Sequence, residues 1–371
     1  MALIDSSWLR RRLDTLAKVE EYDVPGEDTR SLAKRLGLGF KDVIKLDANE
    51  NLMLPREVAA SELCHLSKFL DTRIYPLNEK AQLTSALAEH LDVNPNQIVI
   101  GNSSDEILET VARVFLKGRV GAISITPTFE MYKVITHSFG RNYIEVSLRR
   151  DFTLDAEDLL KACDELTHIC FLCSPNNPTG NQFSLSQVKS LAEKFNGLVV
   201  IDEAYVEYGR YSLISEVENY DNIIVLRTFS KAFGLAGLRV GYAVTSQKIA
   251  PELRKIQLPY NVNTVSLEMA RRILKRFDQV ETSIKRVKVE RSRLIKEMKN
   301  IPGVFPYDSD ANFIFFRTLR SSRQIRDHLA QNAILIRCYD SQDLANYLRV
   351  TVGTKEMNNR FLEVLKEVTD V

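Results

Sequence analysis

"TFSKAFGLAGLRVGY", Thr228 to Tyr242, decides the reading of this chain. One lysine, Lys231, stands among a hydroxyl pair, small apolar residues and three glycines, and a cation returns at Arg239. The run follows "NIIVLR", an apolar segment with the character of a buried strand, and the nearest acidic residue is Asp221. A lysine partly withdrawn from water loses preference for its charged form, and the neutral amine is a nucleophile that can form a Schiff base with an aldehyde.

Outward from this stretch, short apolar runs alternate with helical segments. "QIVI" precedes "SDEILETVARVF", "GAISIT" precedes "FEMYKVITHSF", and "HICFLC" precedes "LSQVKSLAEKF"; then come "GLVVID", "NIIVLRT" and "RVGYAV". Continuous apolar strands separated by amphipathic helices predict an α/β fold with a mostly parallel central sheet and helices on both faces. After about residue 263 a long charged helical stretch, roughly Val265 to Asn300, leads to "NFIFFR", "AILIRC" and "NYLRVTVG", which predicts a smaller α+β domain. The expected organisation is an N-terminal arm over 1–30, a first part of the small domain over 31–50, a large domain over 51–264 and the rest of the small domain over 265–371.

In an open parallel sheet, ligands collect at the carboxyl ends of the strands. The polar exceptions in this chain fall there. "IVIGNSSDEIL" ends a strand at Gly101 and starts a helix near Asp105, so its backbone N–H groups and Ser103 or Ser104 make a phosphate cradle, or the serine only caps the helix. "FLCSPNNPTG" projects Asn176 and Asn177 from a proline-fixed turn, and "GLVVIDEAY" puts Asp202 at the end of an apolar run. Pyridoxal phosphate needs an amine, a phosphate cradle, a cation beside it and an acid for its ring nitrogen. Lys231, the Ser103–Ser104 pair with Thr228 and Ser230, Arg239 and Asp202 supply that set.

Composition narrows the alternatives. Lysine plus arginine less aspartate plus glutamate is 50 − 49 = +1, which gives no electrostatic case for nucleic acid or an anionic membrane. No apolar run approaches the roughly 20 residues of a membrane span. The first residues lack the apolar core of a signal peptide, so a cytoplasmic location is expected. Five scattered cysteines argue against a disulfide framework. Cys170 and Cys173 form a CxxC, but on a buried strand residues three apart face opposite ways, and no metal site is expected.

The chain resembles the fold-type-I pyridoxal-phosphate-dependent aminotransferases, and within them the histidinol-phosphate aminotransferases. The resemblance runs through "EYDVPG", "KLDANEN", "RIYP", "GNSSDEI", "PTFEMY", "SPNNPTG", "VVIDEAYVEY", "RTFSKAFGLAGLRVGY", "ANFIFF", "ILIRC" and "LRVTVGT". It implies transfer of an amino group between L-histidinol phosphate and 2-oxoglutarate, giving glutamate, by a homodimer in histidine biosynthesis. It implies pyridoxal 5'-phosphate as a covalent aldimine on Lys231, with Asp202 on the pyridine nitrogen, Asn177 and Tyr205 on the phenolic oxygen, and Tyr132 stacked on the ring. Ser104, Asp105 (by its N–H), Thr228, Ser230 and Arg239 would surround the phosphate, joined by Tyr75 from the partner subunit. Arg349 and Arg337 would bind substrate anions, with Tyr22, Asn49 and Asn177 also touching substrate; a cis Asn177–Pro178 bond is implied as well. "NENLMLP" departs from the family's usual proline and glycine after "NEN", which puts Leu52–Leu54 beside the substrate as a possible change in preference. Threonine-phosphate decarboxylases and aromatic amino acid aminotransferases share most of these motifs. A non-catalytic regulator on this scaffold is disfavoured, because Lys231, Asp202, Asn177, Tyr205 and Arg239 are all retained and no basic helix-turn-helix extension is seen.

Overall fold

Seven apolar runs build the central sheet: β1 (Ile98–Gly101), β2 (Gly121–Thr126), β3 (Tyr143–Ser147), β4 (Thr167–Cys173), β5 (Leu198–Asp202), β6 (Ile223–Thr228) and β7 (Gly241–Thr245). The structure, a computed structural model, describes residues 7–17, 19, 27–339 and 342–370. Strand order is β1-β7-β6-β5-β4-β2-β3, and only β7 runs antiparallel to its neighbours. Strands β5, β6 and β7 are buried at every residue, which requires cover on both faces and explains why they read as unbroken apolar runs. The expected α/β architecture is what the chain adopts.

Near the carboxyl terminus a four-stranded antiparallel sheet forms from Val304–Pro306, Phe313–Thr318, Arg337–Cys338 and Tyr347–Thr351. Ile44–Lys45 pairs in parallel with Ile334–Leu335, and Leu32, Ala33 and Val43 pack with Ala333 and Leu335.

The charged stretch expected as one helix is two, Thr264–Leu274 and Phe277–Lys299. The first packs on the Arg56–Leu66 and Glu79–Leu91 helices of the large unit. Its buried Leu267, Met269, Ala270 and Ile273 mark that face. Cys170 and Cys173 are buried in β4 with free thiols, and no cluster of metal-ligating side chains exists among the described residues.

Candidate active site

The carboxyl ends of β4, β5 and β6 and the turn after β1 open onto a cleft of about 390 Å³. Its opposite wall carries Asp47–Asn49, Arg337, Tyr339 and Arg349 from the amino-terminal segment and the smaller sheet. Both sets of expected residues thus meet in one place.

Asp202 ends β5 and is 4% exposed. Oδ1 accepts the Ala204 N–H at 3.1 Å and Oδ2 the Tyr132 hydroxyl at 2.8 Å. Burial pushes its pKa up to about 6, against the pull of those bonds and of Lys231. Side chains alternate along a strand, and the next residue, Glu203, turns to a different environment. There it meets the buried Arg227 guanidinium at 2.9 Å, and Glu207 meets the same guanidinium at 2.9 Å. This charge cluster ties the end of β6 to the chain leaving β5, and nothing in the spacing of the sequence pointed to it.

Lys231 follows β6 in a turn whose neck is closed by the Phe229 N–H on the Val240 carbonyl at 2.9 Å. The residue is only half-buried, but its amine points into the cleft and donates to the Ala48 carbonyl at 2.9 Å. Desolvation first, and then the Arg349 charge, bring its pKa down to about 8. The amine is therefore far easier to deprotonate than an ordinary lysine, as its isolation in the sequence suggested. Its nitrogen lies 5.6 Å from the centre of the Tyr205 ring, whose hydroxyl accepts from Asn49 Nδ2 at 3.1 Å.

The anion-binding end is assembled from three pieces of chain. The 13-residue helix Ser103–Phe115 starts at the cleft and presents its positive end there. Thr228 closes β6, and its Oγ1 accepts the Ser230 N–H at 3.1 Å. The Ser230 hydroxyl is buried and has no hydrogen-bond partner, an orphan that a bound anion would satisfy. Arg239, at φ 53°, swings its guanidinium to Asp105 at 2.7 Å in a half-exposed pair that a phosphate would displace at little cost. Gly241 completes the cradle. A Cβ there would lie 2.3 Å from the Ser104 nitrogen, so only glycine lets β7 run against that turn.

On the other wall Arg349 is buried, its Nη2 donating to the Asp47 carbonyl at 2.6 Å and its Nη1 to Asn177 Oδ1. Both acceptors are neutral, so the guanidinium charge can still be matched by an incoming anion. Arg337 is also buried, 5.6 Å from the Tyr339 ring centre. Asn49 adopts φ 56° and donates its N–H to Thr351 Oγ1 at 2.9 Å, while Asn312 Nδ2 donates to the Asn49 carbonyl at 2.9 Å. The Asn177–Pro178 bond is cis.

Several expectations need correction. Tyr132, expected to stack on a cofactor ring, is fully buried behind Asp202 and stacks instead on Phe171, with ring centres 5.1 Å apart. It is the second residue of the Met131–Ser138 helix, which turns it back under the sheet. Phe129, still in the loop, is the aromatic that lines the cleft. The Asp105 N–H donates to Ser103 Oγ at 3.1 Å, so the capping role belongs to Ser103 and the open position to Ser104. Leu52–Leu54 do not border the cleft: they pack on the core, held by Asn51 Oδ1 accepting the Met53 and Leu54 N–H groups at 3.1 and 3.2 Å. Tyr75 is 69% exposed and stacks on Tyr260 away from this chain's own cleft. Tyr22 lies outside the described residues.

The lowered amine, the buried carboxylate, the orphaned hydroxyl and the glycine-lined cradle fit a phosphorylated aldehyde with a basic ring nitrogen, namely pyridoxal phosphate. The fold and site together define a fold-type-I pyridoxal-phosphate enzyme. Residues 41–365 match the family model described as aminotransferase class I and II. The chain belongs to that family. It is 37% identical over 331 residues to the histidinol-phosphate aminotransferase of Christiangramia forsetii, covering 88% of this chain and 90% of the relative. It is 39% identical over 327 residues to histidinol-phosphate aminotransferase 1 of Carboxydothermus hydrogenoformans, covering 88% and 93%. The crystal structure of the Sinorhizobium meliloti histidinol-phosphate aminotransferase in complex with pyridoxal-5'-phosphate superimposes with a TM-score of 0.85 over 94% of this chain and 96% of that one. At 24% identity that likeness speaks for the fold.

Proposed function

We propose that this chain is a pyridoxal-phosphate-dependent aminotransferase that moves an amino group between L-histidinol phosphate and 2-oxoglutarate, forming glutamate, in histidine biosynthesis. The observation that carries the reading is one cleft in which a desolvated Lys231 amine and a buried Asp202 carboxylate face two buried arginines, Arg337 and Arg349. The curated relatives of this length and identity support the substrate.

When bound, the cofactor supplies an aldehyde for amino groups and a ring that draws electrons from the substrate carbon. Lys231 would hold it covalently, and its amine would carry the proton removed from that carbon. Asp202 would keep the ring nitrogen protonated, and Asn177 and Tyr205 are assigned to the phenolic oxygen. Ser104, Thr228, Ser230 and Arg239 would hold the phosphate, joined by the helix start. Phe129 would take the stacking position first given to Tyr132. Arg349 and Arg337 bind the phosphate of one substrate and the carboxylates of the other in turn, which forked guanidinium donors suit. The double use of one anion site fits Arg349, which is buried and donates to two neutral acceptors.

A homodimer and a cytoplasmic location belong to this reading. Phe69, Ile74, Tyr75, Leu77, Leu258 and Tyr260 are exposed apolar residues, and Tyr75 and Tyr260 stack on each other, which supports a self-association face there. Among the described residues no helix is long and apolar enough to cross a membrane. The test is the visible spectrum of the protein loaded with pyridoxal phosphate. Histidinol phosphate should bleach the bound cofactor's band and 2-oxoglutarate should restore it, with glutamate formed. A response to threonine phosphate alone, with release of carbon dioxide, would assign the cleft to decarboxylation.

A further inference from the structure

The displaced Tyr132 has a geometry of its own. Its ring lies flat against Phe171 of β4, with an interplanar angle of 4°, and meets Phe129 edge-on with centres 5.6 Å apart. Its carbonyl accepts the Thr136 hydroxyl at 2.7 Å, which anchors the helical turn that carries it. The ring is held on both sides, and the hydroxyl donates to Asp202 Oδ2 at 2.8 Å with the Cys173 thiol also beside it. The Ala204 N–H holds Oδ1, so both carboxylate oxygens are tethered from the protein side.

Other ionisable groups reach Asp202 from each element around it. Cys173, its register partner on β4, stays a neutral thiol because burial pushes its pKa far up. Asp105, from the helix after β1, disfavours a second negative charge, and Lys231, from the loop after β6, favours it. Burial also raises the Tyr132 hydroxyl well above the ordinary tyrosine range, so it remains a donor throughout.

We propose that Tyr132 is a positioning residue: its hydroxyl keeps the Asp202 carboxylate ionised and aimed at the cleft. The inference rests on the role given to Asp202 above. A buried carboxylate stays charged only where donors replace water, and Tyr132 is the side-chain donor this one has among the described residues.

Tyr132→Phe removes one oxygen and leaves the stacking face intact. In the protein without cofactor, the Asp202 carboxylate can be titrated by infrared difference spectroscopy against Asp202→Asn. The expected result is an upward shift of the midpoint by about one pH unit, with cofactor retention weakened roughly tenfold near neutrality. A second variant, 3-fluorotyrosine at position 132, keeps the shape and strengthens the donor; the midpoint should move down, which a packing role would not produce. An unchanged midpoint in both variants overturns the inference and leaves the role of Asp202 standing. Cofactor retention unchanged in Asp202→Asn would instead remove that role itself.

Discussion

The two walls of the cleft are held in different ways. On the cofactor side, Asp202, Thr228 and Lys231 sit at strand ends or within a turn whose neck is one backbone bond wide, so the sheet sets where their backbones lie, while Tyr132 and Ala48 hold two of the side chains. On the substrate side, Arg349 reaches Asp47 and Asn177, and Asn312 reaches Asn49, all far away in sequence. The first wall is fixed by the sheet, whereas the second exists only where the smaller unit meets the larger. Changes at the junction should therefore alter substrate handling without disturbing the cofactor.

The largest effect should come from the first wall. Lys231→Ala removes the covalent anchor and the proton carrier together, and turnover should fall on the order of 10⁴-fold with the fold unchanged. Turnover near the wild-type rate would contradict the assignment. Arg349→Ala tests the second wall. It removes a buried charge whose replacement leaves the Asp47 carbonyl and Asn177 without their donor, and KM for both anionic substrates should rise about 10²-fold. Cofactor content should stay at the wild-type level; its loss would mean the two walls are not separable.

Gly241→Ala probes how tightly the cradle is built. The added methyl meets the Ser104 nitrogen, so about 1–3 kcal/mol of stability should be lost on denaturant unfolding. Cofactor dissociation should quicken roughly tenfold while KM changes little.

The smallest effect is one of pH. Lys231 is lowered to about 8 from the ordinary 10.5, so between these values the unfolded chain binds more protons than the native one. Stability of the protein without cofactor should rise as pH climbs through that window. Asp202, raised to about 6 from 3.8, acts oppositely at lower pH, where stability falls as pH rises. Melting scans of wild type and Lys231→Met should diverge by about 2–4 °C across the alkaline window. Parallel curves would show that the amine is as well solvated as in the unfolded chain.

The difference between the walls also governed what could be read in advance. Lys231, Asp202 and Asn177 were legible because strand periodicity alone places a residue at a carboxyl edge. Phe129 and Tyr132 are three residues apart in "PTFEMY", and only the point where the helix begins tells which one remains in the loop and lines the cleft. Proline at 127 closing a strand end was the available signal, since residues just after it stay on the cleft side. Leu52–Leu54 were assigned by adjacency to Asn49, yet Asn51 turns the chain inward between them: its Nδ2 donates to the Ala232 carbonyl at 2.7 Å. The Arg227–Glu203–Glu207 cluster is a tertiary arrangement, and no local pattern announces it.

The reversed strand β7 has a further consequence. Because it runs back beside β6, Thr228 and Gly241 are register partners, and the amine and Arg239 hang on one loop pinned at both feet. On the roles proposed for Lys231 and Arg239, that loop would work as a caliper whose jaws close on the two ends of one cofactor. Surface loops ordinarily accept inserted or deleted residues. Between Phe229 and Val240 a change of even one residue in length would open or close the jaws, so variation there should be confined to substitution.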